Sequence, residues 1–260
     1  MKLLAAAVVL ASAALAHAQG DEALLGGPIP DDIDSQGPTG GSATEAEWSG
    51  TPQNFALEIK FGPYLPDVDS EFTNGNHPYA DTFGDDLLVL GLFEFDWEFY
   101  RIMTGGSSVG SFAVGLSSGF MQAVGPSRTL DGRVSGESTV LNIVPIYYTA
   151  VFRFDMFADR WGVPLVPYIK GGFTTYVWWI LNGGGTAQSG WSPGWHFSPG
   201  ILFQLDVLEP GAARSFDSSV GVNHSYLMFE MLWVGADGFG RGKSMVLSDL
   251  TWTAGVAIEF

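Results

Sequence analysis

Hydrophobic and polar residues alternate with a period of two along most of the chain after about residue 54. Near the C-terminus, large apolar side chains occupy every second position from Leu250 to Phe260, with small or polar residues between them. The same alternation runs from Phe55 to Gly62 and from Phe93 to Phe99. This period predicts β-strands with one apolar and one polar face. Five further segments repeat the pattern and bring the predicted strands to eight, near residues 112–120, 144–155, 165–180, 195–208 and 222–234.

The size of the residues on the two faces distinguishes a membrane barrel from a soluble β-sandwich. A sandwich, which is the alternative for any alternating strand, packs its apolar face inward and exposes charged residues and Thr. Here the polar face is rich in Gly, Ala and Ser, as is required where side chains converge inside a narrow barrel. The sequence after residue 18 offers no run of about 20 apolar residues that would suit a spanning helix. The pattern therefore favours a closed barrel whose apolar face contacts lipid.

The long connections and four tryptophans fall toward the same end of the predicted barrel. Long links near residues 64–86, 121–137, 181–194 and 235–246 alternate with mostly shorter ones, as in a meander whose two ends face different compartments. Four tryptophans fall toward the long-loop ends of successive strands, as an interfacial girdle requires: Trp179, Trp195, Trp233 and Trp252. We predict an all-β fold, an eight-stranded antiparallel up-and-down transmembrane β-barrel over residues 54–260.

The first 53 residues consist of a predicted export signal and a predicted disordered tail. Lys2 precedes an apolar run from Leu3 to Leu15, which is followed by Ala16, His17 and Ala18 as an A-x-A cleavage signal. This is the pattern of a secretory signal peptide at residues 1–18. Residues 19–53 are rich in Gly, Pro, Ser, Thr and acids and contain no Lys or Arg. Such a segment buries too little apolar surface to fold, so we expect a disordered acidic periplasmic tail.

Composition and charge exclude several classes of function. The chain has 28 acidic and 11 basic residues and a formal charge of -17, so we expect no binding of nucleic acid. Glycine is abundant, with 35 residues, and only 15% of residues are charged, which argues against an ordinary soluble helical domain. The absence of cysteine excludes disulfides, thiolate zinc sites and cysteine nucleophiles. We expect no cofactor.

Three stretches carry a family resemblance. The stretch from Leu250 to Phe260 has large apolar residues at alternate positions, the last of them Trp252, Val256, Ile258 and Phe260. Residues 166–173 (VPYIKGGF) combine a Pro-Tyr strand start with glycines. In both features the chain resembles the small eight-stranded outer-membrane β-barrel proteins of bacteria. Residues 60–72 (KFGPYLPDVDSEF) and 221–226 (GVNHSY) look more narrowly like an uncharacterised myxobacterial outer-membrane β-barrel family.

The resemblance implies a location and a set of partners. The location is the outer membrane of a Gram-negative bacterium, where the barrel contacts membrane lipid and lipopolysaccharide. The C-terminal stretch looks like the assembly signal of this class, which implies recognition of the last strand by the barrel-assembly machinery. The narrower family has no known activity, so the resemblance adds location and not function.

Ten charged residues fall on the inward face by parity: Glu58, Lys60, Glu94, Asp96, Glu98, Arg153, Asp155, Lys170, Asp206 and Glu230. Side chains fill an eight-stranded barrel, and a buried charge is costly unless it has a partner. We therefore predict a paired network in which Lys60, Arg153 and Lys170 neutralise the acidic row on the second strand. A proton or ion pathway is the alternative.

Alternating acids in the first long loop are weak candidates for metal ligands. Asp67, Asp69 and Glu71 would offer the carboxylate oxygens that calcium prefers. The spacing lacks the turn glycine of a calcium-binding loop, and exposed acids are common in surface loops. We therefore expect a solvated loop and no metal.

The positions of the histidines bear on whether the chain is an enzyme. Some small barrels are lipid-modifying enzymes that use His with Ser or an acid. His224 and Ser225 are adjacent in a strand, so they point to opposite faces and do not form a nucleophile and base pair. His196 and Ser198 share a face but have no evident acid beside them. We predict a non-catalytic structural or surface-interaction role, with a narrow solute or ion channel and a lipid-modifying enzyme as the alternatives.

Overall fold

The computed structural model describes residues 54–72, 75–128, 134–182, 185–209, 211, 215–216, 219–242 and 244–260. The predicted signal peptide at 1–18 and the predicted tail at 19–53 lie outside these residues. The described residues form eight strands: β1 (Phe55–Tyr64), β2 (Leu88–Thr104), β3 (Ser107–Arg128), β4 (Val134–Arg153), β5 (Leu165–Asn182), β6 (Gly185–Gln204), β7 (His224–Gly235) and β8 (Asp249–Glu259).

The connections contain short helical elements. A 3₁₀ turn (Val68–Glu71) and helix α1 (Pro78–Phe83) lie between β1 and β2, and helix α2 (Met156–Trp161) lies between β4 and β5. No helix among the described residues is long and apolar enough to cross a membrane. We call the end with the β1–β2, β3–β4, β5–β6 and β7–β8 connections the loop end, and the opposite end the turn end.

The eight strands close into one barrel. Each strand pairs antiparallel with its neighbours in sequence, and β8 pairs antiparallel with β1. At this seam Leu57 lies opposite Ile258, and Ile59 lies opposite Val256. Closure leaves no edge strand in the ring. The predicted eight-stranded antiparallel up-and-down barrel is confirmed.

The period of two places large apolar residues outside and charged residues inside. On β2, Phe93, Phe95 and Trp97 are 40 to 50% exposed, whereas Glu94 and Asp96 between them are at most 2% exposed. A soluble sandwich would bury the first set and expose the second. The barrel is therefore apolar on its outer surface and partly charged in its interior.

The central hairpins are longer than the sequence predicts. β3 extends to Arg128 and β4 begins at Val134, while β5 ends at Asn182 and β6 begins at Gly185. The predicted long loops near residues 121–137 and 181–194 are therefore wrong, since most of these residues lie in strands. Their Gly, Ser and Pro residues have low intrinsic β-propensity, and pairing with the neighbouring strand overrides it.

Two prolines lie inside strands, and each interrupts a single ladder. Pro145 pairs with Tyr176 on β5, and the pairing of β3 with β4 omits it. Pro199 pairs with Ile169 on β5, and the pairing of β6 with β7 omits it. Because proline has no N–H to donate, each one lacks ladder partners on one side while keeping them on the other.

The barrel interior has charged residues between two apolar clusters. Along β7, Tyr226 and Met228 belong to an apolar cluster at the turn end, Glu230 follows, and Leu232 and Val234 belong to a larger cluster at the loop end. Residues of the first loop, Val68 and Tyr79 among them, pack onto the larger cluster. Along β7 the charged level of the interior thus lies between two apolar clusters.

Candidate functional site

Two lysines join carboxylates from β1, β2 and β7 in the barrel interior. Lys170 Nζ lies 2.5 Å from Glu58 Oε2 and 2.9 Å from Glu94 Oε1. Lys60 Nζ lies 2.7 Å from Glu94 Oε2 and 2.9 Å from Glu230 Oε1. All five side chains are at most 4% exposed. Each lysine therefore offsets the charge of two acids whose burial alone would be costly.

Arg153 extends this network toward the turn end. Its Nη1 lies 2.6 Å from Glu98 Oε1, and its Nη2 lies 3.5 Å from Asp96 Oδ2 and 3.7 Å from Glu58 Oε1. The structure thus brings together eight of the ten residues placed inside by parity: Glu58, Lys60, Glu94, Asp96, Glu98, Arg153, Lys170 and Glu230.

Asp155 lies at the edge of this cluster, where the positive charges of Arg101 and Arg153 act on its carboxylate. It follows the end of β4 at Arg153, so strand parity no longer applies to it. Its carboxylate accepts a hydrogen bond from the Ser108 hydroxyl at 2.7 Å. Burial raises the pKa of Asp155, and the hydrogen bond from Ser108 lowers it by less.

Asp206 also lies beyond the end of its strand, which is Gln204. Its carboxylate lies 2.5 Å from His224 Nδ1 and accepts hydrogen bonds from the backbone N–H and hydroxyl of Ser225. Burial raises the pKa of Asp206, but the hydrogen bonds from His224 and Gln204 outweigh it, so the net pKa is lowered. The assignment of Asp206 to the interior network is corrected to a polar cluster at the turn end.

The sequence prediction missed two members of the network, Arg101 and Glu259. Arg101 Nη2 lies 2.8 Å from Glu98 Oε2 and 3.3 Å from Glu259 Oε1. The register of β2 shifts between Glu98 and Tyr100, and this irregularity breaks the simple alternation that would identify Arg101. Glu259 follows the parity of β8, so the alternation alone was enough to find it.

Three of the interior acids have the arrangement of a cation site. Glu58, Glu94 and Asp96 each offer an oxygen within 4.8 Å of the others, the one such group of three among the described residues. The Lys170 ammonium contacts all three, at 2.5, 2.9 and 3.9 Å. A side chain of the protein itself therefore supplies the positive charge at this point.

The loop acids considered for calcium do not converge. Asp69 accepts hydrogen bonds from the backbone N–H groups of Tyr79 at 2.7 Å and Ala80 at 2.9 Å. Glu71 accepts one from the backbone N–H of Val246, and Asp67 is exposed. Asp69 therefore joins two parts of the first loop, and Glu71 joins this loop to the β7–β8 connection.

A small polar cavity lies beside the network. Its volume is about 10 Å³, and Lys60, Ser117, Thr149 and His196 are among the residues that line it. This volume is on the scale of one water molecule. His196 Nε2 lies 3.2 Å from Thr149 Oγ1, while His196 Nδ1 and Ser117 Oγ have no hydrogen-bond partner among the described residues.

The histidines are not paired with a nucleophile in the described residues. No hydrogen bond joins His196 to Ser198 there, and the partner of His196 is Thr149. His224 and Ser225 both contact Asp206 and not each other. Neither arrangement has the nucleophile and base contact that covalent catalysis requires.

Solved structures of bacterial surface proteins have a similar fold. The attachment invasion locus protein Ail of Yersinia pestis, in complex with the heparin analogue sucrose octasulfate, is 10% identical, with 80% of this chain and 97% of that chain covered and a TM-score of 0.41. The outer membrane protein OprG of Pseudomonas aeruginosa is 10% identical, with 80% and 96% covered and a TM-score of 0.49. Neisserial surface protein A is 11% identical, with 80% and 97% covered and a TM-score of 0.40.

These similarities concern the fold alone, and the fold rests on the strand pairing described above. No protein-family model and no curated protein sequence matches the chain. The narrower myxobacterial resemblance stays a prediction.

Proposed function

We propose that the protein is an integral β-barrel of the bacterial outer membrane with a structural or surface-interaction role. The observation that carries the proposal is a closed barrel with an apolar outer surface and an interior filled by side chains. Phe61, Phe173 and Val89 are 57, 67 and 72% exposed on outward faces. Exposed apolar surface of this extent on every strand suits contact with lipid and not with water.

The proposed orientation puts the loop end outside the cell, which gives the loops access to lipopolysaccharide and other surface ligands. Lipid contacts the outward side chains of the strands. At the seam of the barrel, Trp252, Val256, Ile258 and Phe260 have exposed or partly exposed side chains. This supports recognition of the last strand by the barrel-assembly machinery before β8 pairs with β1.

The filled interior favours this role over that of a solute channel. An apolar cluster covers the network at the loop end, and the cavity beside the network holds about one water molecule. We expect no conductance above background in planar bilayers that contain the purified protein. Discrete channel openings would contradict the proposal and support the channel alternative.

The geometry of His196 and His224 supports a non-catalytic role, which is tested separately. We expect purified protein to show no turnover of lipopolysaccharide or phospholipid. Any turnover lost in His196→Ala would support the enzyme alternative.

Cell fractionation with heat modification tests the proposed location. We expect the protein in the outer-membrane fraction, with an electrophoretic band that changes mobility on boiling because the closed barrel resists detergent. A soluble protein whose band does not shift would contradict the proposal.

A further inference from the structure

An apolar pocket of about 530 Å³ lies at the loop end of the barrel. This volume is within the range of small-molecule sites. Its walls include Phe72, Tyr79, Phe83, Leu141, Ile180 and Met245. None of the described residues that line it is charged, and a few hydroxyl and amide groups are placed among the apolar ones. This composition is typical of a site for an apolar group with a polar end.

The first loop forms one wall of this pocket, and its position is fixed. The Asp69 carboxylate accepts the N–H groups of Tyr79 and Ala80 at the start of α1. The backbone of α1 lies so close to β3 that a Cβ atom at Gly125 would collide with the Thr82 carbonyl. The pocket is therefore largely formed before any ligand arrives, which lowers the cost of binding.

Tyr79, a residue of the pocket wall, has a buried hydroxyl without a hydrogen-bond partner among the described residues. Tyr79 is 6% exposed. Burial and the nearby Asp69 carboxylate raise the pKa of Tyr79 to about 12, so the hydroxyl is neutral near neutral pH. A buried hydroxyl without a partner is unfavourable, and a ligand able to hydrogen-bond with it would remove that cost.

An acidic cleft shares the Tyr79 wall with the apolar pocket. The cleft has a volume of about 850 Å³, and five aspartates line it: Asp67, Asp69, Asp81, Asp85 and Asp249. None of its described lining residues is Lys or Arg. These acids do not form a group of three with converging oxygens among the described residues. The summed negative charge of the cleft therefore attracts cations and disfavours anions. Because the carboxylate oxygens do not converge on one point, the cleft favours an organic cation over a metal ion.

We propose that the loop end binds a small amphiphile with one apolar chain and an amine head. The chain occupies the apolar pocket, and the ammonium group lies toward the Tyr79 hydroxyl and the aspartates of the cleft. This inference deepens the proposed surface interaction and rests on it in one respect, since the ligand reaches the pocket from outside the cell.

Calorimetry with two probes of opposite charge tests the proposal. Full-length protein in zwitterionic nanodiscs is titrated with octylamine, which is protonated near neutral pH, and with octanoate, which has the same chain length. Titrations of empty nanodiscs measure partition into lipid. We expect saturable binding of one octylamine per barrel and affinity for octanoate weaker by about tenfold or more. Equal affinities, or heats no larger than those of empty nanodiscs, would overturn the proposal.

Matched variants locate the binding. Phe72→Ser in the pocket and the double variant Asp67→Asn, Asp85→Asn in the cleft should weaken octylamine binding. Phe216→Ser and Glu209→Gln, both in the β6–β7 connection at the turn end, should leave it unchanged. Tyr79→Phe should weaken it by roughly three- to tenfold, the value of one hydrogen bond. Heat modification verifies that each variant is folded. Folded pocket and cleft variants that bind like the wild type would overturn the proposal.

The two proposals fail separately. Loss of the outer-membrane location would appear in fractionation, whereas a pocket without a ligand would appear only in the titrations.

Discussion

Lys170 Nζ on β5 lies 2.5 Å from Glu58 Oε2 on β1, across the barrel and 112 positions apart in the chain. Both side chains are at most 2% exposed. In a ring of eight strands paired in sequence order, β1 and β5 stand on opposite walls. This ion pair therefore forms only when the ring is closed, and it ties the two walls together.

Removal of this cation should be costly. In Lys170→Met the carboxylates of Glu58 and Glu94 lose their shared ammonium, and we expect the free energy of unfolding to fall by about 3 to 5 kcal/mol. Urea unfolding in lipid vesicles measures the change. Arg160→Ala, at an exposed position of α2, is the control and should have little effect. Equal losses in the two variants would contradict a structural role for the network.

A charged side chain on the outward face of β2 should destabilise the barrel. Phe95 is 40% exposed on the outer surface, and Phe95→Arg should cost on the order of 2 to 4 kcal/mol if this position lies near mid-bilayer. Leu208→Arg, in the β6–β7 connection where the side chain is 70% exposed, should be nearly neutral. The same unfolding measurement in vesicles compares them. A neutral Phe95→Arg would argue against a lipid-facing surface.

The seam of the barrel should not tolerate a side chain at Gly255. A Cβ atom there would collide with the Ile59 carbonyl and lie 2.7 Å from Lys60 Cα. Gly255→Ala should therefore destabilise the barrel by roughly 1 to 3 kcal/mol and lower the temperature at which the heat-modified band appears. Gly136→Ala is the matched control, because a Cβ at Gly136 meets nothing within 4 Å. Indistinguishable transition temperatures would refute this account of the seam.

The Asp206 cluster should make stability depend on pH. The pKa of Asp206 is lowered from its ordinary value of 3.8, so its ionised form stabilises the fold above that value, and this contribution is lost as the pH falls through the folded pKa. Asp206→Asn should be less stable than the wild type at about pH 7, and the difference should shrink below about pH 4. Urea unfolding at a series of pH values tests this. A difference that is constant with pH would show that the carboxylate charge is not involved.

The alternation of residue size predicted most of the fold because each strand encodes its two faces locally. Glu94 and Asp96 could be placed inside from parity alone. Parity stops where a strand stops, so it misplaced Asp206, and it misses Arg101 beyond the register shift in β2. The Gly, Ser and Pro residues near 121–137 and 181–194 led to a prediction of loops. Their strand pairing depends on residues of a neighbouring strand, which a local stretch of sequence does not reveal.

The sequence by itself determined the strand number, the faces, the absence of cysteine chemistry, and the acids that needed cations. Only the tertiary structure decided which cation meets which acid, since Lys170 reaches Glu58 through ring closure and not through proximity in sequence. The same holds for the loop-end pocket. Its walls come from the first loop, from β4, β5 and β6, and from the β7–β8 connection, and packing in three dimensions creates a cavity that no local pattern records.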